Sequence, residues 1–353
     1  MDARKPAPAP TACRANRIDD IGCSHFFSDS SRILFNRTIK DRKAAGQAGL
    51  WRQPLHPIDR GVSKESALIE AMRALATHPA ARALADDCAV LDFGGETMVL
   101  THDMMVEGVH WLPGQDMADV AWKLVATNLS DLASKGAEPV GVLLGYTLDN
   151  DEDARFIEGL GAALATFGVP LLGGDTVSGN GPRSLGLTAL GRATSHPVPD
   201  RRGARVGDVL WITGPVGAAM LGFEALRDGT AADSTAFRRP VPRLAEGRAL
   251  AGMVTAMMDV SDGLLIDAAR MADASNVTFA IDSASVAFPP ALPATRRDEA
   301  MRWGDDYELL FCLPARSVPP IPAVRIGHAV ARMATAVTVD GVPPEGRLGY
   351  SHD

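Results

Sequence analysis

A two-domain mixed α and β fold is what the sequence predicts, and three features point to it. Short apolar runs of strand length alternate with Ala-rich stretches of helical period. Glycine (34) and proline (24) are plentiful while aromatic residues make up only 5%, so turns are frequent. A turn-rich segment, Gly203-Ala204-Arg205-Val206-Gly207-Asp208, divides two such series and sets a boundary near 195 to 205. At 353 residues the chain is long enough for two ordinary domains.

The expected units are 61–200, an α+β N-terminal domain, and 201–353, a C-terminal α/β domain. Residues 1–60 stand apart, with 11 Lys/Arg against 6 Asp/Glu, an Ala-Pro run at Ala7 to Pro10, and no period of 2 or 3.6. They read as a poorly ordered extension or an upstream start. Asp19, Asp20 and Asp29 sit badly with an organelle presequence.

Regular structure is expected from Ser63, a helix cap, followed by Leu68, Ile69, Met72 and Leu75 at helical spacing. Cys88 to Phe93 and Met98 to Thr101, separated by Gly94-Gly95, read as a β-hairpin. A helix from Asp116 to Lys135 stops at Gly136. A strand from Val140 to Leu148 and a helix from Asp151 to Phe167 follow, then strands Val169 to Leu172 and Ser184 to Arg192. In the second domain strands are expected at Val209 to Thr213, Met257 to Val260, Thr278 to Ile281 and Tyr307 to Leu313. Helices are expected at Gly217 to Leu226, Arg243 to Met253 and Leu264 to Ala274.

The net charge of −8 disfavours binding to nucleic acid or an anionic membrane, which needs a basic footprint. Cys13, Cys23, Cys88 and Cys312 show neither zinc-ligand nor disulfide spacing, which fits a reducing cytoplasm. The sequence holds no apolar run of membrane-spanning length.

The informative feature is a set of aspartates beside apolar runs: Asp86-Asp87, Asp103, Asp175, Asp259, Asp262 and Asp305-Asp306. Taken singly, each is a turn former or a helix cap. Taken together, with too few neighbouring cations to pair them, they suggest a cleft for hard divalent cations and phosphate chemistry. Structural calcium is the competing reading, but the EF-hand loop pattern does not occur. Gly173-Gly174-Asp175-Thr176 serves equally as a phosphate approach or a tight turn. Asp131 near a helix C-terminus opposes the dipole, and an i,i+4 pair with Lys135 is one structural reason for it. His102 and His110 lack metal spacing. Neither the P-loop pattern nor the protein-kinase motifs are present.

In order and spacing these motifs resemble the thiamine-monophosphate kinases, of the superfamily that includes aminoimidazole ribonucleotide synthetase, selenophosphate synthetase and a hydrogenase maturation factor. The likeness covers about 63–353 and rests on Asp86-Asp87-Cys88-Ala89, the run Thr101 to His110, Asn128-Leu129-Ser130-Asp131-Leu132-Ala133, Gly173-Gly174-Asp175-Thr176, Asp259-Val260-Ser261-Asp262-Gly263 and Gly304-Asp305-Asp306-Tyr307-Glu308-Leu309. Gly349-Tyr350-Ser351-His352 matches the closing motif.

The resemblance implies a two-domain synthetase-like fold and a homodimer associating through the N-terminal sheet. It implies transfer of the ATP γ-phosphoryl group to thiamine monophosphate, with several Mg2+ ions. Asp87, Thr101, Asp103, Asp131, Asp175, Asp259 and Asp262 correspond to metal ligands. Gly174, Asp175, Arg201 and Ser261 correspond to ATP contacts, with Arg202 the alternative to Arg201. His110, Asp305 and Tyr350 correspond to substrate contacts. No general base or covalent nucleophile is expected, because the acceptor phosphate is already largely ionised at neutral pH. His102, Asp305 in place of the frequent Glu, and Ser178-Gly179-Asn180-Gly181 depart from the pattern. The alternatives are another ATP-dependent synthetase of the superfamily, or a non-catalytic binder of nucleotide or thiamine phosphate.

Overall fold

Alternation along Thr97, Val99, Thr101, Asp103 and Met105 puts these residues on one face of a strand, and Met98, Leu100, His102 and Met104 on the other. The structure, a computed structural model, describes residues 64–148 and 152–351. These belong to one unit, Arg60–Asp353. The expected extension over 1–60 and the Ser63 cap lie outside the described residues, as do Asp151 at the expected start of the third helix and His352 of the closing motif.

The first sheet contains β1 (Ala89–Phe93), β2 (Glu96–Val106), β3 (Ala137–Thr147), β4 (Leu171–Val177) and β5 (Ser184–Ala193), in the order β1-β2-β5-β3-β4. The β1-β2 hairpin turns on Gly94 and Gly95, both at positive φ. Strand β2 runs on to Val106 because Met98 to Val106 pairs with β5.

Helix α1 (Lys64–Arg73) occurs as its periodicity suggests, but Leu68, Met72 and Leu75 are exposed rather than packed. Helix α2 (Met117–Ser134) is capped by the Asp116 carboxylate on the Ala118 N–H, and the chain leaves it through Gly136 at φ 60°. Every residue of α2 except Trp122 is buried. That all-round burial reflects its position: the first sheet lies on one side, α3 (Asp153–Phe167) on another, and elements of the second domain on a third. Leu124, Leu129 and Leu132 are fully buried, and each contributes about 2 kcal/mol by leaving water.

Two expectations change in β4: the strand spans Leu171–Val177 rather than Val169 to Leu172, and Gly173-Gly174-Asp175-Thr176 lies within it rather than in a tight turn. Gly174 explains the difference: a Cβ there would stand 1.9 Å from the Leu144 carbonyl oxygen of the parallel neighbour β3, so the glycine permits close strand pairing.

The second sheet has the order β11-β8-β10-β6-β9-β7. Its strands are β6 (Val209–Ile212), β7 (Ala256–Asp259), β8 (Val277–Ile281), β9 (Leu309–Leu313), β10 (Val324–Ala331) and β11 (Val337–Val339). Strand β9 starts two residues later than expected because Asp305 and Tyr307 have positive φ and leave the extended region. Strands β10 and β11 carry weak sequence signals, one interrupted by Gly327 and one only three residues long. Helices α4 (Ala218–Arg227), α5 (Thr235–Arg238), α6 (Leu244–Leu250), α7 (Leu264–Ser275) and α8 (Arg297–Met301) accompany this sheet. Met258, Leu265, Phe279, Leu310 and Ile326 fill the core between α7 and the sheet. Among the described residues no helix is long and apolar enough to cross a membrane.

Candidate active site

Three chain segments end at one place. Asp87 stands just ahead of β1, Asp131 lies in the last turn of α2, and Asp259 closes β7. One carboxylate oxygen from each lies within 4.8 Å of the others, the group among the described residues placed to hold a metal ion. The chain builds this convergence by packing α2 between the first sheet and β7. Ser130 Oγ donates to Asp259 Oδ2 at 2.5 Å, and Thr101 on the inward face of β2 donates to Asp131. Asp103, on the same face as Thr101, has its backbone N–H held by Asn128 Oδ1 at 3.0 Å. Both Asp103 and Thr101 are therefore aimed at α2.

So many acids in one buried place resist ionising together. Burial, and then the charges of Asp103 and Asp259, push Asp131 well above the usual carboxylate range. Burial raises Asp103 to about 6 with help from Asp262. Asp259 also rises to about 6 through burial, against a lowering by the Ser130 hydrogen bond. Asp267, fully buried on α7, reaches about 6 from burial and the charge of Asp262. Its carboxylate accepts the N–H groups of Ser261 and Asp262, both at 3.0 Å, and so shapes the loop after β7.

A second set of charges lies beside the first. Lys135, with a fully buried side chain, pairs with Asp86 at 2.7 Å and with Asp87 at 3.5 Å. Burial works to raise Asp86, but Lys135, Arg82 and Arg201 outweigh it and hold the carboxyl below its ordinary range. The i,i+4 pair expected between Asp131 and Lys135 is thus replaced by pairing with the acids ahead of β1. Arg201 contacts Asp87 directly, placing this expected ATP contact at the acid cluster, and Arg202 pairs with Asp200 at 2.5 Å.

The donor set suits a hard divalent cation. It consists of carboxylate oxygens, and Asp87 Oδ2 is buried without a hydrogen-bond partner. Such an ion, when bound, supplies positive charge against phosphate oxygens.

The remaining expected site residues fall in three places. Asp262 is at the rim, paired with Arg270 at 2.5 Å, and the Tyr350 N–H donates to its carbonyl at 2.9 Å, which brings the closing motif to this loop. His110 and Asp305 meet at Lys123: the His110 carbonyl lies 3.2 Å and Asp305 Oδ2 2.9 Å from Nζ. Gly174 and Asp175 lie on the exposed strand β4, and Asp175 accepts the N–H of its neighbour Thr176 at 2.9 Å, outside the three-carboxylate group. Asp103 and Asp175 therefore lie inside strands, where a strand-to-loop junction was expected. His102 points to the open face of the sheet and contacts Thr188 Oγ1 at 2.9 Å.

Sequence reasoning missed Lys123 and Asp267, and named Lys135 only as a partner for Asp131. Lys123 looks like a solvated helix charge until the burial of α2 is known, and Asp267 reads as an ordinary acidic residue in the first turn of α7.

The chain matches two family profiles, AIR synthase related protein, N-terminal domain, over residues 85–193, and AIR synthase related protein, C-terminal domain, over residues 205–339. It is 36% identical to the thiamine-monophosphate kinase of Escherichia coli (strain K12) over 265 residues, covering 69% of this chain and 80% of that one. It is also 36% identical to the thiamine-monophosphate kinase of Caulobacter vibrioides over 290 residues, covering 77% and 82%. The solved structure of thiamine monophosphate kinase from Aquifex aeolicus superposes with a TM-score of 0.68 at 25% identity, over 80% of this chain and 99% of that one.

Proposed function

The chain belongs to the thiamine-monophosphate kinase family, and from that premise we propose that it transfers the γ-phosphoryl group of ATP to thiamine monophosphate, giving thiamine diphosphate and ADP. The observation that carries this reading is the meeting of Asp87, Asp131 and Asp259 between the two sheets. An acidic cleft suits the problem. Donor and acceptor are both anions, so their approach is opposed by charge repulsion, which magnesium held by these carboxylates would offset.

The residues divide the work. Asp87, Asp131 and Asp259 would hold magnesium, with Asp103 and Asp262 flanking them. Thr101 and Ser130 fix the rotamers of Asp131 and Asp259 through their hydroxyls. Asp267 holds the Ser261-Asp262 loop, so Ser261 presents itself to nucleotide on a supported backbone. Arg201, already at the cluster beside Asp87, would meet an ATP phosphate. Asp305, His110 and Tyr350 would meet the acceptor. The acceptor oxygen needs no base from the protein, since its second ionisation lies near pH 6.

A homodimer fits the open face of the first sheet. Met104 and Leu143 are exposed there, and the edge strand β4 exposes Leu171, Leu172 and Val177. A second copy covering this surface would also bring chain against Asp175. Sedimentation equilibrium tests the dimer, and a cytoplasmic location is part of the same reading.

The synthetase and non-catalytic alternatives have less support, because the curated relatives with 36% identity are kinases. Incubation of the purified protein with ATP, Mg2+ and thiamine monophosphate, followed by chromatography, tests the reading. Thiamine diphosphate is the expected product, and none above background would overturn it.

A further inference from the structure

Lys123 precedes Asp131 on α2 by about two turns, and its side chain is only 2% exposed. An ammonium that deep is costly unless it is well partnered. Its surroundings supply three partners of different kinds: Asp305 Oδ2 at 2.9 Å, the His110 carbonyl oxygen at 3.2 Å, and the face of Phe237 with its centroid at 3.9 Å. Phe237 is in turn packed edge-on against Phe223 at 5.3 Å, and Trp303 tilts over Phe223 at 5.1 Å. The lysine therefore has an aromatic wall behind it and a carboxylate ahead of it.

The loop that carries Asp305 is strained and held from several sides. Gly304, Asp305 and Tyr307 have φ of 96°, 58° and 50°, and the two non-glycine residues adopt a conformation that side chains disfavour. Such a backbone persists only when its surroundings determine it. The Asp305 N–H donates to the Ser261 carbonyl at 2.7 Å, and the Tyr307 N–H to that of Val260 at 2.8 Å. The Asp306 carboxylate accepts the Gly217 N–H at 2.8 Å, ahead of α4. With Lys123 on Oδ2 and the Tyr307 hydroxyl on Oδ1 at 2.9 Å, Asp305 is fixed at both oxygens while 27% of its side chain still faces solvent.

We propose that Lys123 is a positioning residue for the acceptor. It sets the direction of the exposed edge of the Asp305 carboxylate and ties that edge, through α2, to the acid cluster that meets ATP. This rests on the thiamine-monophosphate reading, in which the carboxylate faces a ligand carrying a cationic heteroaromatic ring.

The test is steady-state kinetics together with calorimetric binding of thiamine monophosphate, for Lys123→Met, Asp305→Asn and the double variant. Each single variant is expected to raise both KM and Kd for thiamine monophosphate about tenfold while KM for ATP stays within about twofold. The double variant should lose no more than either single one, because one interaction is removed twice. Unchanged KM and Kd, equal rises for both substrates, or additive losses would overturn the proposal. If thermal melting shows Lys123→Met unfolded, Lys123→Arg takes its place. It keeps the charge, but its planar fork cannot satisfy all three partners, so a smaller rise of about threefold, specific to the acceptor, is expected, and no rise overturns the proposal. A wild-type protein that makes no thiamine diphosphate would instead sink the kinase reading; an active wild type with indifferent variants would sink the role of Lys123 alone.

Discussion

Ser130 donates its hydroxyl to Asp259 Oδ2 at 2.5 Å, and that bond joins helix α2 to strand β7 at the point where the acids converge. Asp131, the next residue, faces the opposite partner, Thr101 on β2. Two adjacent side chains thus fasten one helix to both sheets. Ser130→Ala should leave Asp259 without a buried donor, cost about 1 kcal/mol in stability, and weaken Mg2+ binding severalfold, as read by melting and calorimetry. Unchanged Mg2+ affinity would show that the hydroxyl does not orient the carboxylate.

Asp131→Asn is expected to abolish magnesium-dependent turnover by at least about a hundredfold while leaving cooperative unfolding intact. Because Asp131 is held well above the ordinary carboxylate range by burial and by its acidic neighbours, the neutral amide should match or exceed the wild-type melting temperature without metal. Wild-type turnover in this variant would remove Asp131 from the site.

The acids also set a pH dependence. Asp103, Asp259 and Asp267 are raised to about 6 in the folded chain, whereas unfolded carboxylates titrate near 3.9. The folded state therefore binds these protons more tightly. The stability they contribute is fully present below about pH 4 and is lost as the pH rises through about 6. Metal-free protein should melt several degrees lower at about pH 7.5 than at about pH 5.5, and millimolar Mg2+ should close most of the gap. Equal melting at the two pH values would contradict this account.

Lys135→Met removes a cation that touches both Asp86 and Asp87. Breaking a buried pair from one side costs about 3 kcal/mol, so a clear drop in melting temperature is expected. Arg82 and Arg201 remain beside Asp86, which should keep the variant folded at room temperature. A change below about 0.5 kcal/mol would mean that those arginines already suffice.

Gly304→Ala should be destabilising by about 2 kcal/mol and lower turnover more than tenfold. The residue sits at φ 96°, and a Cβ there would stand 2.5 Å from the Ser261 carbonyl oxygen, pushing the Ser261-Asp262 loop and the Asp305 loop apart. A melting curve and rate equal to wild type would show that the two loops are not coupled.

Much of the site was legible in the sequence because aspartate beside a core strand carries a visible cost. Asp87 and Asp259 could be marked on that ground, and Asp131, on a helix, only through the family resemblance; the structure brings those three together. Asp175 could be marked too, but its glycine neighbours are explained by pairing with β3, and its strand is exposed. Lys123, and the pairing of Lys135 with Asp86 and Asp87, were hidden for the converse reason. A charge on a helix reads as solvated unless the helix is surrounded, and only tertiary packing surrounds α2. The exposed stripe of α1 failed in the same way, since period fixes a face without saying what covers it.

Helix α2 also acts as a ruler. At about 1.5 Å of rise per residue, Lys123 and Asp131 are separated by about 12 Å along its axis, a fixed gauge between the two ends of the cleft. Inserting one residue between them would swing one end by about 100° relative to the other, so this stretch tolerates changes of side chain far better than changes of length.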